Sequence, residues 1–138
     1  MHLAQILSDV NWLAVVVATI VAFMLGGLWY SKALFGNAWM QEVGLTEDAV
    51  NSANMAKTFG GTIVLQIFAA TALSAFLGTE STWQSGLETG LWVGLFWIAT
   101  AYGVTYLFEQ RSMRLFLINA GYYVVLYGIT GTIIGAWH

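Results

Sequence analysis

Side chains that could carry out catalysis are scarce in this sequence of 138 residues. It has no cysteine, which excludes disulfides, thiolate metal sites and cysteine nucleophiles. The two histidines, His2 and His138, lie at opposite ends of the chain. Two imidazoles are too few for a defined metal site unless Asp9 or a second chain adds a ligand. The serines have no nearby base, so we expect no catalytic residue, no metal and no cofactor.

Polar side chains inside long apolar stretches are the remaining candidates for function. The amides of Gln66 and Asn119 would be costly to leave unpaired in hydrocarbon, so each should find a partner. These side chains could line a polar cavity or form hydrogen bonds between helices, and we favour the second interpretation. Glu88 is expected at a membrane boundary, where its carboxylate stays hydrated. The full set of candidates is Gln66, Glu88, Tyr102, Tyr106, Asn119, Tyr123 and Tyr127.

The elements that position these residues are four long apolar stretches. Hydrophobic residues make up 59% of the chain and charged residues 8%, where a soluble domain carries roughly 25% charge. A membrane helix needs about 20 apolar residues, and residues 11–30, 58–77, 89–108 and 115–137 meet this length without one Asp, Glu, Lys or Arg. No Lys or Arg precedes the first stretch, so it is expected to be a permanent span and not a cleaved signal. We predict an all-α membrane protein, a single domain built as a four-helix transmembrane bundle.

The positions of the four basic residues predict how this bundle is oriented. Lys32 and Lys57 flank the first loop, and Arg111 and Arg114 lie in or beside the third. The positive-inside rule places both loops in the cytoplasm and both termini outside. The net charge of -3 offers no cationic surface for nucleic acid, so that partner is excluded.

The first loop, residues 31–57, is the one long connection, and its apolar residues have helical spacing. Thr46, followed by Glu47 and Asp48, has the pattern of a helix N-cap with acids in the first turn. This pattern favours a second helix that begins before the membrane and projects into the cytoplasm. The loop is also predicted to hold an interfacial helix, which would carry Leu34, Phe35, Trp39, Met40 and Val43.

Small residues spaced one turn apart predict close helix packing, because they let backbones approach. At about 100° per residue, the third and fourth spans each carry a polar face on the side opposite their small residues. On the third span this face consists of Glu88, Trp92, Tyr102 and Tyr106, and on the fourth it consists of Asn119, Tyr123, Tyr127 and Thr130. We favour contacts within the chain over contacts between copies. The predicted packing residues are Ala14, Ala18, Ala22 and Gly26 on the first span, Gly86, Gly90 and Gly94 on the third, and Gly121, Gly128 and Gly135 on the fourth.

Short strings near the span ends resemble a known family. They are NWLA at 11–14, GLWYS at 27–31, LFG at 34–36, LFLINAGY at 115–122 and IG at 134–135, with Trp39 and Trp137. Together they resemble the mainly bacterial four-span family called domain of unknown function 1761, over nearly the whole chain. In that pattern a proline often follows Trp-Tyr-Ser, where this chain has Lys32. The resemblance implies a bacterial cytoplasmic membrane and brings no agreed activity, cofactor or catalytic residue.

Three functional hypotheses follow. The leading one is a non-catalytic membrane protein, embedded in the lipid bilayer, that works through helix packing as a homo-oligomer or as an accessory subunit of a membrane complex. The alternative is a small-solute or ion channel or transporter lined by the polar candidates. A lipid-binding protein or a membrane enzyme is a further alternative.

Overall fold

The computed structural model describes residues 2–137, all of whose regular elements are helices. Four of its helical stretches are long and apolar enough to cross a membrane, as the sequence predicts. In chain order the helices are α1 (Leu3–Ser8), α2 (Trp12–Trp29), α3 (Gly36–Val43), α4 (Glu47–Asn51), α5 (Met55–Leu77), α6 (Trp83–Trp92), a π-helical segment (Val93–Ala99), α7 (Thr100–Glu109) and α8 (Met113–Ala136). The first span is α2, the second α5, and the fourth α8. The third span is the continuous stretch Trp83–Glu109, which combines α6, the π segment and α7.

The fourth span lies at the centre of the arrangement. It packs against the third span on one side and against the first span on the other, while the second span packs mainly on the first. As a result, 44% of the most apolar part of the fourth span is buried, against 17% for the second span and 11% for the third. The second and third spans therefore have large faces that no other part of the described chain covers.

Each of the four spans begins at a polar side chain that caps its first turn. The side chains of Asn11, Asn54, Thr82 and Ser112 each accept a hydrogen bond from the backbone N–H three residues later, at 3.0 to 3.2 Å. These bonds satisfy N–H groups that a helix start would otherwise leave unpaired.

The start of the second span differs from the sequence prediction. Thr46 does cap a helix, accepting from the backbone N–H of Ala49 at 3.1 Å. That helix, α4, is only five residues long, and a new helix begins at Met55 under the cap of Asn54. The prediction of a second helix that begins at Thr46 is therefore wrong, because a second cap, Asn54, starts the span again eight residues later.

A sharp turn that contains Lys32 follows the first span. The backbone N–H of Phe35 donates to the carbonyl of Trp29 at 3.0 Å, and that of Gly36 donates to Ser31 at 2.9 Å. A Cβ at Gly36 would overlap the carbonyl oxygen of Tyr30, so the turn closes on a residue without a side chain. Helix α3 then runs back along this end of the bundle.

The π segment rotates the second half of the third span, α7, relative to the first half, α6, so that a different face of α7 points toward the fourth span. A π-helix bonds each residue to one five positions away, so it adds about one residue per turn relative to an α-helix. One extra residue rotates everything beyond it by about 100°. The prediction that Tyr102 and Tyr106 lie opposite the glycines, beside Glu88 and Trp92, is therefore wrong: both tyrosines turn toward the fourth span.

Candidate functional site

The glycines of the third and fourth spans meet in a seam where the two backbones touch. A Cβ at Gly86 would overlap the carbonyl oxygen of Gly131, and one at Gly90 would overlap that of Tyr127. At Gly94 a Cβ would come within 2.7 Å of the Val124 Cα. The seam therefore depends on the absence of side chains at these positions. We define it by Gly86, Gly90, Gly94, Gly128, Gly131 and Gly135 and call it the glycine seam.

The small residues of the first span face the other side of the fourth span. Ala14 and Ala18 are fully buried, in a cluster that also contains Ile134 and Ala70. Ala22 is buried in a second cluster beside Tyr122 and Leu126.

The two remaining predicted packing glycines meet aromatic side chains and not backbone. A Cβ at Gly26 would lie 3.0 Å from the Tyr122 hydroxyl, and one at Gly121 would lie 3.6 Å from the Trp29 ring.

A polar network joins the first, third and fourth spans beyond the glycine seam. The hydroxyl of Tyr30 donates to Oδ1 of Asn119 at 2.7 Å, and Nδ2 of Asn119 donates to the hydroxyl of Tyr106 at 2.7 Å. The amide thus uses both its donor and its acceptor on tyrosines of two other elements. This geometry satisfies groups that would be costly to leave unpaired in an apolar surrounding.

Aromatic rings extend this network into one connected group. The rings of Tyr102 and Tyr123 stack with centroids 5.4 Å apart, and Tyr30 meets Tyr122 edge-on at 5.3 Å. All six tyrosines of the chain belong to the group. We call it the tyrosine–asparagine cluster: Tyr30, Tyr102, Tyr106, Asn119, Tyr122, Tyr123 and Tyr127.

Tyr30, just beyond the end of the first span, holds the cluster to the adjoining loop. Its ring meets Trp39 of α3 at 5.7 Å. Nearby, the indole N–H of Trp29 donates to the backbone carbonyl of Ile118 at 3.0 Å.

Two of the predicted polar residues lie outside this cluster. Gln66 is half-buried on the second span and forms no hydrogen bond with any residue of 2–137. Glu88 is exposed on the third span, with no hydrogen bond or ion pair to any residue in the same part of the chain. The structure therefore does not bring the seven polar candidates together at one site.

Glu88 is one of the residues that line a cleft between the second and third spans. A cavity of about 560 Å³ there is bounded by Phe76 of the second span and by residues of the third. A second cavity of about 270 Å³ shares Phe76, Val93 and Trp97 with the first and reaches Tyr127 of the fourth span. The two form one groove, open to the side, with mainly apolar walls. We call it the lateral cleft. The third-span residues that line its larger cavity, called the upper cavity below, are Glu88, Thr89, Trp92, Val93, Phe96 and Trp97.

Charged residues divide between the two ends of the bundle. At one end the first and third loops meet: Glu42 accepts from the Ser112 hydroxyl at 2.8 Å and lies 3.8 Å from Arg114. In the first loop Lys32 pairs with Glu47 at 2.6 Å. All Lys and Arg residues lie in or beside these loops, so we call this the basic end.

The other end brings together the chain ends and the second loop. The Asn11 side chain donates to the carbonyl of Trp137 at 3.1 Å. The acids at this end are Asp9, Glu80 and Glu88. No group of three or more possible metal ligands occurs within residues 2–137, and His138 lies outside the described residues.

Comparison with known proteins gives one match. Residues 13–135 match the family described as protein of unknown function (DUF1761). This chain belongs to the DUF1761 family. The match confirms the resemblance seen in the sequence. Neither the curated proteins nor the solved structures compared with this DUF1761 protein include a match.

Some parts of the DUF1761 chain's site escape sequence reasoning. Tyr30 and Tyr122 belong to the cluster, but Tyr30 reads as a membrane-boundary aromatic and Tyr122 falls off the predicted polar face. The π segment has no clear signal in a sequence without proline. The sequence does contain one clue. Regular helical spacing directs Tyr102 and Tyr106 away from the fourth span, and this leaves Asn119 without the partner that an amide in an apolar helix needs.

Proposed function

We propose that the protein lies in a bacterial cytoplasmic membrane with its basic end in the cytoplasm and both termini outside. Four apolar helices and the confinement of every Lys and Arg to one end support this orientation. Helix α3 would then lie at the cytoplasmic interface. Leu34 and Phe35, predicted to belong to this helix, are exposed in the turn just before it, because α3 begins at Gly36.

Terminal reporter fusions test the orientation. Alkaline phosphatase is active only outside the cytoplasm, so a fusion at either terminus should be active. A fluorescent protein that folds only in the cytoplasm should stay dark at both. Fluorescence from either terminal fusion would contradict the proposed orientation.

We propose further that the protein is not an enzyme and works through assembly, with a second copy or as an accessory subunit of a membrane complex. The observation that carries this proposal is the uneven burial of the four spans. The small-residue ridges of the first, third and fourth spans are used within the chain, yet the second and third spans remain largely uncovered. A partner helix that packs on these two spans would complete the bundle.

The uncovered side is built of large apolar residues and not of polar ones. Phe68 of the second span is 68% exposed, and Trp92 and Trp97 of the third are 63% and 62% exposed. Aromatic side chains provide large contact areas at protein interfaces. Lipid would cover the same residues in a lone chain, so the proposal needs a direct test of contact between chains.

Cysteine cross-linking in native membranes provides that test, because the natural chain has no cysteine. Phe68→Cys and Leu95→Cys would place single thiols on the uncovered side, and Ile20→Cys would place a control thiol, 55% exposed, on the first span. We expect cross-linked products of higher mass from the first two variants and not from the control. Two tagged forms of the chain then separate self-association from contact with another protein.

The absence of cross-links from Phe68→Cys and Leu95→Cys, together with a single-chain mass after extraction, would contradict assembly. The channel or transporter alternative has no comparable support. Tyr30, Asn119 and Tyr106 use their polar atoms on one another, and Gln66 lies apart from them. A lipid-binding role is supported by the lateral cleft.

A further inference from the structure

The lateral cleft combines an apolar groove with one carboxylate, that of Glu88, among the residues that line it. Its upper cavity of about 560 Å³ lies within the range of about 300–1,000 Å³ in which proteins hold small ligands. Phe76, Trp92 and Trp97 form much of its wall. These walls suit a hydrocarbon chain, and Glu88 requires something else.

Glu88 lies close to the membrane boundary at the end opposite the bases. It is the sixth residue of the third span, so it sits about 7.5 Å below the start of that helix at about 1.5 Å per residue. The headgroup layer of a bilayer is about 5–7 Å thick on each side. With the start of the third span set at the outer surface of the headgroup layer, the carboxylate reaches the level where headgroups meet acyl chains. It has no partner among residues 2–137.

Charge complementarity identifies the kind of group that would pair with Glu88. No Lys or Arg lies at this end of the protein, so a second copy could offer no such side chain. In the described part of the chain, His2 is the sole basic side chain there. A cation at this level of the outer leaflet is available from the ammonium group of an aminophospholipid.

We propose that the lateral cleft binds an aminophospholipid, with an acyl chain along Phe76 and Trp97 and the headgroup ammonium paired with Glu88. The hydroxyl of Thr89, which lines the cleft next to Glu88, is a donor suited to the lipid phosphate. This inference rests on the membrane location proposed above. It does not require assembly, because all of these residues belong to one chain.

Native mass spectrometry tests the inference on the full-length protein. The protein is taken from vesicles of equal phosphatidylethanolamine and phosphatidylglycerol, and the lipids that stay bound are counted. We expect phosphatidylethanolamine to be retained about three- to tenfold over phosphatidylglycerol, the ratio that an exposed ion pair of about 1 kcal/mol would give. The Glu88→Gln variant should retain the two lipids equally.

Two further variants distinguish binding in the cleft from a general effect of removing a negative charge at this end of the protein. Glu80 is an exposed acid at the same end and is not among the residues that line the cleft, so Glu80→Gln should keep the preference. Ala72 is an exposed residue on the wall of the deeper cavity. The substitution Ala72→Leu should therefore reduce retention of both lipids.

Equal retention of the two lipids by the natural protein would overturn the inference. So would a preference that survives Glu88→Gln or that disappears equally with Glu80→Gln. A change in copy number instead of lipid number with Glu88→Gln would assign the cleft to a second copy. The same spectra give the copy number, so a monomer with its lipid intact would contradict assembly and leave the lipid site standing.

Discussion

The third and fourth spans are held together in two different ways along their length. Toward the chain termini they meet at the glycine seam, where backbone touches backbone and nothing can be added at Gly86 or Gly90. Toward the basic end they meet through the tyrosine–asparagine cluster, where rings and hydrogen bonds fill the space, as between Asn119 and Tyr106. The π segment begins within the seam, just before Gly94, and ends before Tyr102 of the cluster.

This difference shows how one helix can present two faces to the same neighbour. In a regular α-helix Tyr102 and Tyr106 would point away from the fourth span, on the side of Trp92. The π segment turns them back, and the hydroxyl of Thr100 donates to the carbonyl of Phe96 at 2.6 Å, which satisfies one carbonyl of the altered ladder. Tight packing and polar bonding therefore share one helix pair because a local irregularity separates them.

The largest expected effect is at the glycine seam. In Gly90→Ala the new methyl would overlap the Tyr127 carbonyl, a backbone atom that moves only if the helices separate. We expect the free energy of unfolding to fall by about 2–3 kcal/mol. Reversible unfolding in mixed detergent micelles measures this change.

Two glycines provide graded controls for this prediction. A Cβ at Gly128 meets the flexible end of Leu91 at 2.9 Å, so Gly128→Ala should cost less than about 1 kcal/mol. A Cβ at Gly61 meets nothing within 4 Å, so Gly61→Ala should leave stability unchanged or slightly higher. Equal losses for Gly90→Ala and Gly61→Ala would show that the seam is not the cause.

The next effect tests the π segment itself. Removal of Leu95, an exposed residue of this segment, should restore a regular α-helix and rotate α7 by about 100°. Tyr106 would then lose Asn119, and Tyr102 would lose its stacking on Tyr123. We expect a loss of about 2 kcal/mol, measured in the same unfolding experiment.

A substitution at the same position distinguishes rotation from loss of the side chain. Leu95→Ala removes an exposed side chain without changing the helix phase, so it should have little effect. If the deletion variant is as stable as Leu95→Ala, the π segment does not set the position of the tyrosines.

The smallest effect is expected in the polar network. Asn119→Leu leaves the hydroxyls of Tyr30 and Tyr106 without their shared partner. Hydrogen bonds between membrane helices contribute about 0.6 kcal/mol each on average, so we expect a loss of about 1 kcal/mol.

A double-mutant cycle with Tyr106→Phe isolates the Asn119–Tyr106 bond. The two substitutions should cost less together than the sum of their separate costs, because both remove the same bond. The Leu95 deletion should abolish this coupling. Full additivity in the natural background would refute the assigned bond.

Much of the architecture could be read from the sequence. Four uncharged stretches of about 20 residues cannot be covered in water by so few charged side chains, so the four apolar helices were predictable. The caps at Asn11 and Ser112, by contrast, were not assigned in advance, and Thr46 led to a wrong helix start.

The candidate site was only partly predictable. Asn119 and the tyrosines of the third and fourth spans stood out as polar groups in apolar helices, but their grouping did not. Tyr30 joins them from just beyond the end of the first span, 89 residues before Asn119, a contact that no local spacing encodes. Gln66, which the sequence placed among them, lies elsewhere.

The sequence alone determined the number of apolar helices, the confinement of basic residues to two loops and the family, because composition and local strings carry this information. The tertiary structure decided which faces meet. Helix phase sets those faces, and a single extra residue in the hydrogen-bond ladder at 93–99 shifts that phase by about 100° without altering hydropathy.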